Sequence, residues 1–202
     1  MRSLPAAAAA LLLLVCAGSV HAQRPFTLDM RGGASIPAED FGTIALDPGF
    51  GFGFTASARI LPHASLYAGW AWNRMSTEVA PAGADSHLED TGYAAGLVFQ
   101  HPLMSRIEGW GRVGAIYNHI EMESAAGDEV ADTGHELGWE AGAGFAIPVG
   151  HHFALTPGVR YRSFPAEIDF TEGTASGDLS YVMLDVGLSY SFGGAPTRTA
   201  AR

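Results

Sequence analysis

From residue 26 onward the chain repeatedly alternates bulky apolar side chains with small or polar ones, the period of two that belongs to strands. The clearest run is at the end, where Val182, Leu184, Val186, Leu188, Tyr190 and Phe192 interleave with Met183, Asp185, Gly187, Ser189 and Ser191. The same pattern recurs over 26–34, 51–60, 65–74, 90–100, 107–118, 135–147 and 153–163. This predicts eight strands of roughly 9–13 residues, near the ~9–11 that a tilted membrane-spanning strand needs. Three connections are short, at 61–64, 101–106 and 148–152, each with a proline that interrupts a hydrogen-bond ladder. Four are long, at 35–50, 75–89, 119–134 and 164–179. Long and short alternate strictly, as in an up-and-down barrel with brief periplasmic turns and extended outer loops. The expected fold is all-β: an eight-stranded antiparallel up-and-down transmembrane β-barrel with both termini on the periplasmic side.

Charge placement tests that frame with residues not used to define it. If the smaller, more polar face of each strand lines the lumen, that face holds Asp29, Asp90, Glu108, Glu136, Glu140 and Asp185 together with Arg31, Arg59, Arg112, Arg160 and Arg162. The opposite face carries only Arg74, at the outer end of its strand. A charge facing lipid near mid-membrane costs about 2–4 kcal/mol, so this exclusion is what a lipid-facing wall demands. An eight-stranded barrel is just wide enough inside for side chains to fill it. Buried charge is tolerable when paired, so these acids and arginines are expected to form a nearly neutral network that plugs the lumen. Glycines on the same face, among them Gly142, Gly158 and Gly187, leave room for arginines from neighbouring strands. The reversed arrangement, a soluble barrel with an apolar interior, would call for Lys, Glu, Gln and Thr outside, and the polar face here is mostly Gly and Ala with balanced charge. Aromatics fall in two belts, with Trp70, Trp72, Tyr117, Trp139 and Phe164 toward the loop ends and Phe26, Phe99, Phe145, Phe153 and Phe192 toward the turn ends.

The first residues indicate export. A single early charge, Arg2, precedes an apolar run from Ala6 to Ala17, and small residues then lead to Val20-His21-Ala22. These are the marks of a cleavable signal, and the run is shorter than the ~20 residues of a spanning helix. Lipoprotein processing at Cys16 would want a small residue before it, where Val15 stands. The expected division is a signal peptide at 1–22, the barrel at 23–192 and a short periplasmic tail at 193–202. Loss of Cys16 with the signal would leave no thiol. The 21 acids outnumber 11 basic residues, all of them arginine, and no basic stripe is available for nucleic acid.

The chain resembles the small outer-membrane β-barrel proteins, a group that includes the OmpA transmembrane domain, OmpX-like proteins and opacity-type adhesins. The resemblance spans residues 24–192 and is most specific in Leu184-Asp-Val-Gly-Leu-Ser-Tyr-Ser-Phe192, with Leu155-Thr-Pro-Gly-Val-Arg-Tyr161 similar to a penultimate strand. It implies that Tyr190 and Phe192 form the signal read by the barrel-assembly machinery, although ten residues follow Phe192 here. It also implies residence among outer-membrane lipid and lipopolysaccharide, with a binding, adhesion or envelope role loosely attached.

No catalytic or cofactor site is expected. His63 and Ser65 lie close in sequence but in a turn, without a neighbouring acid. His119, Glu121, Glu123, His135 and Glu136 are metal-compatible residue types in no known ligand spacing, so no metal is assigned to them. His151 and His152 fall in a turn. The long loops hold the remaining 15 of the 21 acids, and Glu121, Glu123, Asp128, Glu129 and Asp132 could share Mg²⁺ or Ca²⁺ with lipopolysaccharide phosphates. The expected function is a plugged, non-enzymatic barrel presenting four acidic loops for envelope integrity or surface binding. The rivals are a narrow channel or small-solute transporter, and a lipid A-modifying enzyme. In cell fractionation the protein should partition with the outer membrane and shift its gel mobility on boiling. Recovery in the osmotic-shock fluid would overturn the barrel.

Overall fold

A computed structural model describes residues 26–42, 44–79, 83–123, 129–170 and 173–193. The proposed signal at 1–22 and most of the tail lie outside the described residues. The strands are β1 (Phe26–Pro37), β2 (Gly49–Leu61), β3 (Ala64–Val79), β4 (Gly83–Met104), β5 (Ile107–Glu123), β6 (Glu129–Asp132), β7 (Glu136–Pro148), β8 (Phe153–Phe170) and β9 (Gly173–Phe192). Each pairs antiparallel with its neighbours, and β1 pairs with β9 from Phe26↔Phe192 to Pro37↔Tyr181. That contact closes the ring. The short β6 continues the line of β7: β7 pairs with Glu108–Asn118 of β5, while β6 pairs with its outer end at Glu121–Glu123. Thr133 bridges the break, its amide donating to the Ile120 carbonyl and its hydroxyl accepting from the Ile120 amide, both at 2.9 Å. The cylinder is therefore eight strands around, with one of them interrupted.

The wall is apolar where lipid meets it. Phe26, Phe99, Phe145, Phe153 and Phe192 are exposed near the turn end, and Phe50, Tyr117 and Trp139 near the other, with Trp70 and Trp72 partly covered beside Phe52. Phe164 departs from the expected belt. It points inward and is 1% exposed.

Three of the expected long loops prove to be largely strand. β4 has 22 residues and β9 has 20, about twice the ~9–11 needed to cross a bilayer. The segments 75–89, 119–134 and 164–179 are mostly the arms of hairpins that continue the barrel wall beyond the membrane. In these arms the sidedness reverses. Met75, Leu88, Ile120, Met122, Phe164 and Leu179 turn inward and are buried, while Glu167 and Asp178 are exposed and Ser76, Glu89, Glu121 and Glu123 are half-buried on the outer side. Water, unlike lipid, favours polar groups outside, so the same alternation is phased the opposite way. Pro102 likewise lies within β4, opposite Glu108 and beside a register shift, and not in the turn.

The described part of the first long connection turns Phe41, Ile44 and Leu46 into the outer mouth and leaves its acids exposed. Phe41 and Ile44 exchange backbone hydrogen bonds of 3.0 and 2.9 Å. Gly42 supplies the left-handed φ of 59° beside Phe41. Asp47 N donates to Ser76 O and Thr77 Oγ1 to Ala45 O, both at 2.9 Å, pinning the segment to β3. Phe41 thereby joins a buried apolar cluster with Met75, Leu88, Met122, Phe164 and Leu179.

Glycines on the inner face admit large rings more than arginines. A Cβ at Gly158 would lie 2.3 Å from Trp110 Cζ2, and one at Gly114 would lie 2.1 Å from the Tyr67 hydroxyl. Only Gly142 of the set chiefly clears an arginine, Arg160. Gly158→Ala should destabilise the refolded barrel by about 1–3 kcal/mol in urea titration, with part of the loss recovered when Trp110→Leu is added. Equal stability of wild type and Gly158→Ala would show that this close contact does not exist.

Candidate functional site: the charged interior

The inward face of the membrane zone forms a layered polar core. Nearest the turns, Asp29 accepts from Arg31 Nε at 2.6 Å and from Thr156 Oγ1 at 2.9 Å. Arg31 Nη1 reaches Asp185 at 3.0 Å, and Arg160 Nε donates to the second oxygen of Asp185 at 2.6 Å. One carboxylate on β9 thus joins guanidiniums from β1 and β8, its two neighbours in the ring. Higher up, Glu140 on β7 accepts from Arg112 and, at 2.5 Å, from the Tyr67 hydroxyl, and lies 3.4 Å from Arg162 Nε. Arg162 also donates to the Tyr181 hydroxyl at 2.9 Å and stands 3.6 Å from Asp90. Asp90 accepts from Tyr181, Asn118 and Asn73.

Four guanidiniums, of Arg31, Arg112, Arg160 and Arg162, face four carboxylates, of Asp29, Asp90, Glu140 and Asp185. Charge cancels within the cylinder, which is the condition for burying it. Arg162, Asp90 and Asn73 are 0% exposed, so the layer is sealed from solvent. Aromatic faces supply further cation contacts: Arg112 lies 4.1 Å from the Tyr67 ring centre and Arg31 5.1 Å from that of Trp110.

The structure brings eight of the eleven expected charged residues into this network. Arg59 and Glu108 are only half-buried and line a cavity of about 140 Å³ at the turn-side mouth, below the sealed layer. Glu136 is a correction. It shares the parity of Glu140 but sits at the outer start of β7, above the last ladder partner on β8 (Trp139↔Ser163), and it is exposed. Tyr67, Trp110, Tyr181, Asn73 and Asn118 were missed by a search for charges alone. Trp110, Asn118 and Tyr181 share the parity of the charged residues on their strands, Tyr67 and Asn73 lie on the inward face of β3, and the glycines at 96, 114, 144 and 158 mark the space that Tyr67 and Trp110 fill.

Outside the wall, at the edge of the lipid zone, Arg74 lies 3.5 Å from Glu89 and 3.6 Å from Glu123, and Trp72 Nε1 donates to Glu89 at 2.8 Å. Two of the carboxylates expected to share divalent cations are therefore engaged, Glu123 with Arg74 and Glu121 with His119 at 2.8 Å. Asp128 and the side chains of Glu129 and Asp132 lie outside the described residues. Tyr190 and Phe192 stack on each other, facing outward at the turn end of β9. His63 Nδ1 lies 3.0 Å from the Gln100 carbonyl oxygen, and Ser65 is buried on the inner face.

A family model described as outer membrane protein beta-barrel domain matches residues 7–192. Among solved structures, Neisserial surface protein A is 16% identical, with 83% of this chain and 97% of that chain covered and a TM-score of 0.57. The outer membrane protein OprG from Pseudomonas aeruginosa is 14% identical, with coverage of 85% and 97% and a TM-score of 0.59. A major outer membrane protein from Thermus thermophilus is 12% identical, with coverage of 84% and 99% and a TM-score of 0.53. Identities this low carry the fold alone. No curated protein matches the chain.

Removing one partner of a buried pair leaves an uncompensated charge. Arg162→Met should therefore cost about 3–5 kcal/mol in denaturant unfolding. Glu136→Gln, at the exposed rim, should stay within about 0.5 kcal/mol. Equal effects at the two positions would contradict the sealed layer.

Proposed function

The chain belongs to the outer membrane protein β-barrel domain family and resides in the Gram-negative outer membrane, and from that premise we propose that it is a closed, non-enzymatic anchor. Its extended rim, in this reading, serves envelope integrity or contact with another surface. The signal at residues 1–22 directs export, and Tyr190 and Phe192 present the final strand to the barrel-assembly machinery. The observation that carries the reading is the double seal. A neutral ion-pair layer centred on Arg162 and Asp90 fills the membrane zone, and an apolar layer that includes Phe41 fills the outer zone. Among the described residues, both layers are filled by buried side chains. Glu136, Glu167 and Asp178 on the rim are exposed, where they contribute to the charge met by lipopolysaccharide or a second surface.

One observation favours a second role, passage of small apolar solutes: the outer chamber is lined by Met75, Leu88, Ile120, Met122, Phe164 and Leu179. In that case Phe41 would have to leave. The lipid A-modifying alternative has less support, because His63 is directed at the Gln100 carbonyl and not at Ser65. Unchanged lipid A mass spectra on deletion of the gene are expected.

Purified protein in planar bilayers should show little or no conductance, and Phe41→Ala alone should not open it, because the charged layer lies beneath. A steady open conductance in the wild type would sink the anchor reading in favour of a channel.

A further inference from the structure

Just above the aromatic belt, His119 on β5 and His135, the residue before β7, face each other across the ladder and project outward. His119 Nδ1 lies 3.3 Å from His135 Nε2, and the rings are 4.5 Å apart between centres. The other nitrogen of His119, Nε2, lies 2.8 Å from Glu121 Oε1. A carboxylate accepts only, so in the neutral imidazole that contact places the proton on Nε2 and the lone pair on Nδ1, the nitrogen nearer His135. Tyr117 packs against the far partner, its ring 4.9 Å from that of His135.

We propose that His119 and His135 form a two-imidazole site for a divalent transition metal on the outer rim of the barrel, with Glu121 as its positioning residue. The separation of the two nitrogens is the argument. Metal–imidazole bonds of ~2.0–2.1 Å at a tetrahedral centre place two ligand nitrogens about 3.3 Å apart, which is the spacing the rings already hold. In the metal-free protein, His135 Nε2–H bridges to the Nδ1 lone pair. On binding, the His135 proton moves to its own Nδ1, both lone pairs turn to the ion, and no net proton is lost. Glu121 on the distal nitrogen of His119 reproduces the carboxylate–histidine–metal relay that orients ligating imidazoles and raises their basicity. Among the described residues no group of three or more His, Cys, Asp or Glu is placed to hold a metal. The chain therefore supplies two donors, and water or an anionic oxygen from the surroundings completes the coordination. Neutral imidazoles select Zn²⁺, Ni²⁺ or Cu²⁺ over Ca²⁺ and Mg²⁺.

The site is independent of whether the barrel is an anchor or a channel, since it lies outside both seals. Tag-free protein refolded in detergent should be titrated with Zn²⁺ by calorimetry and by competition with a chromophoric chelator. One site per chain is expected, unaffected by excess Ca²⁺. It should be abolished by His119→Gln or His135→Gln, weakened about tenfold or more by Glu121→Gln, and retained in the turn-end variant His63→Gln/His101→Gln. All variants should keep heat-modifiable mobility, because the altered side chains lie outside the wall. The proposal is overturned if the wild type shows no zinc site, if the site survives both rim histidine substitutions, or if it disappears with the turn-end pair.

Discussion

Inside hydrocarbon a backbone amide has no water to bond, so a sheet that crosses a membrane cannot leave an edge. The pairing of β1 with β9 over Phe26–Pro37 meets that requirement, and much else follows from it. Closure with eight strands fixes a narrow bore. A narrow bore holds side chains and little solvent, so whatever faces inward must be mutually satisfied. Arginines from β1, β5 and β8 meet carboxylates from β1, β4, β7 and β9, and hydroxyls or amides from Tyr67, Tyr181, Asn73 and Asn118 add hydrogen bonds to them. The interior is costly to disturb because Asp90, Glu140, Asp185 and Arg162 each serve two or more others.

Lipid and water impose opposite rules on one continuous strand. β4 obeys both. Its lower part turns Phe99 and Tyr93 outward and Asp90 inward, and its upper part turns Leu88 inward and Glu89 outward. The change occurs within a few residues, beside the belt of Trp72, Tyr117 and Trp139. Arg74, Glu89 and Glu123 stand immediately above that belt, a charged collar marking where hydrocarbon gives way to water.

Legibility in the sequence followed the same division. In the lipid zone a greasy-outside rule held over every strand, and so parity alone placed Arg112, Glu140, Arg160 and Asp185 on one face. Above it, 75–89, 119–134 and 164–179 read as acidic loops by their carboxylate content, while the phase of Met75, Leu88, Ile120 and Phe164 points to strands. Those apolar residues keep strict alternation, so the signal was present. Phe164 misled by lying at a strand end, where an aromatic suggests an interface belt. Glu136 misled because parity gives a face and not a height. The pairing of Tyr67 with Gly96 and Gly114, or of Trp110 with Gly144 and Gly158, involves neighbouring strands whose register no single sequence reveals.

The upright arms also constrain how such a surface can diversify. Along β4 from Ser86 to Glu89, and along β8 from Phe164 to Glu167, alternate side chains belong to a packed interior while the others meet the outside world. Sequence change is therefore free at the outward positions of these stretches and constrained at the inward ones. In the first connection Phe41, Ile44 and Leu46 are held by the same packing, while Glu39, Asp40 and Asp47 beside them stay exposed.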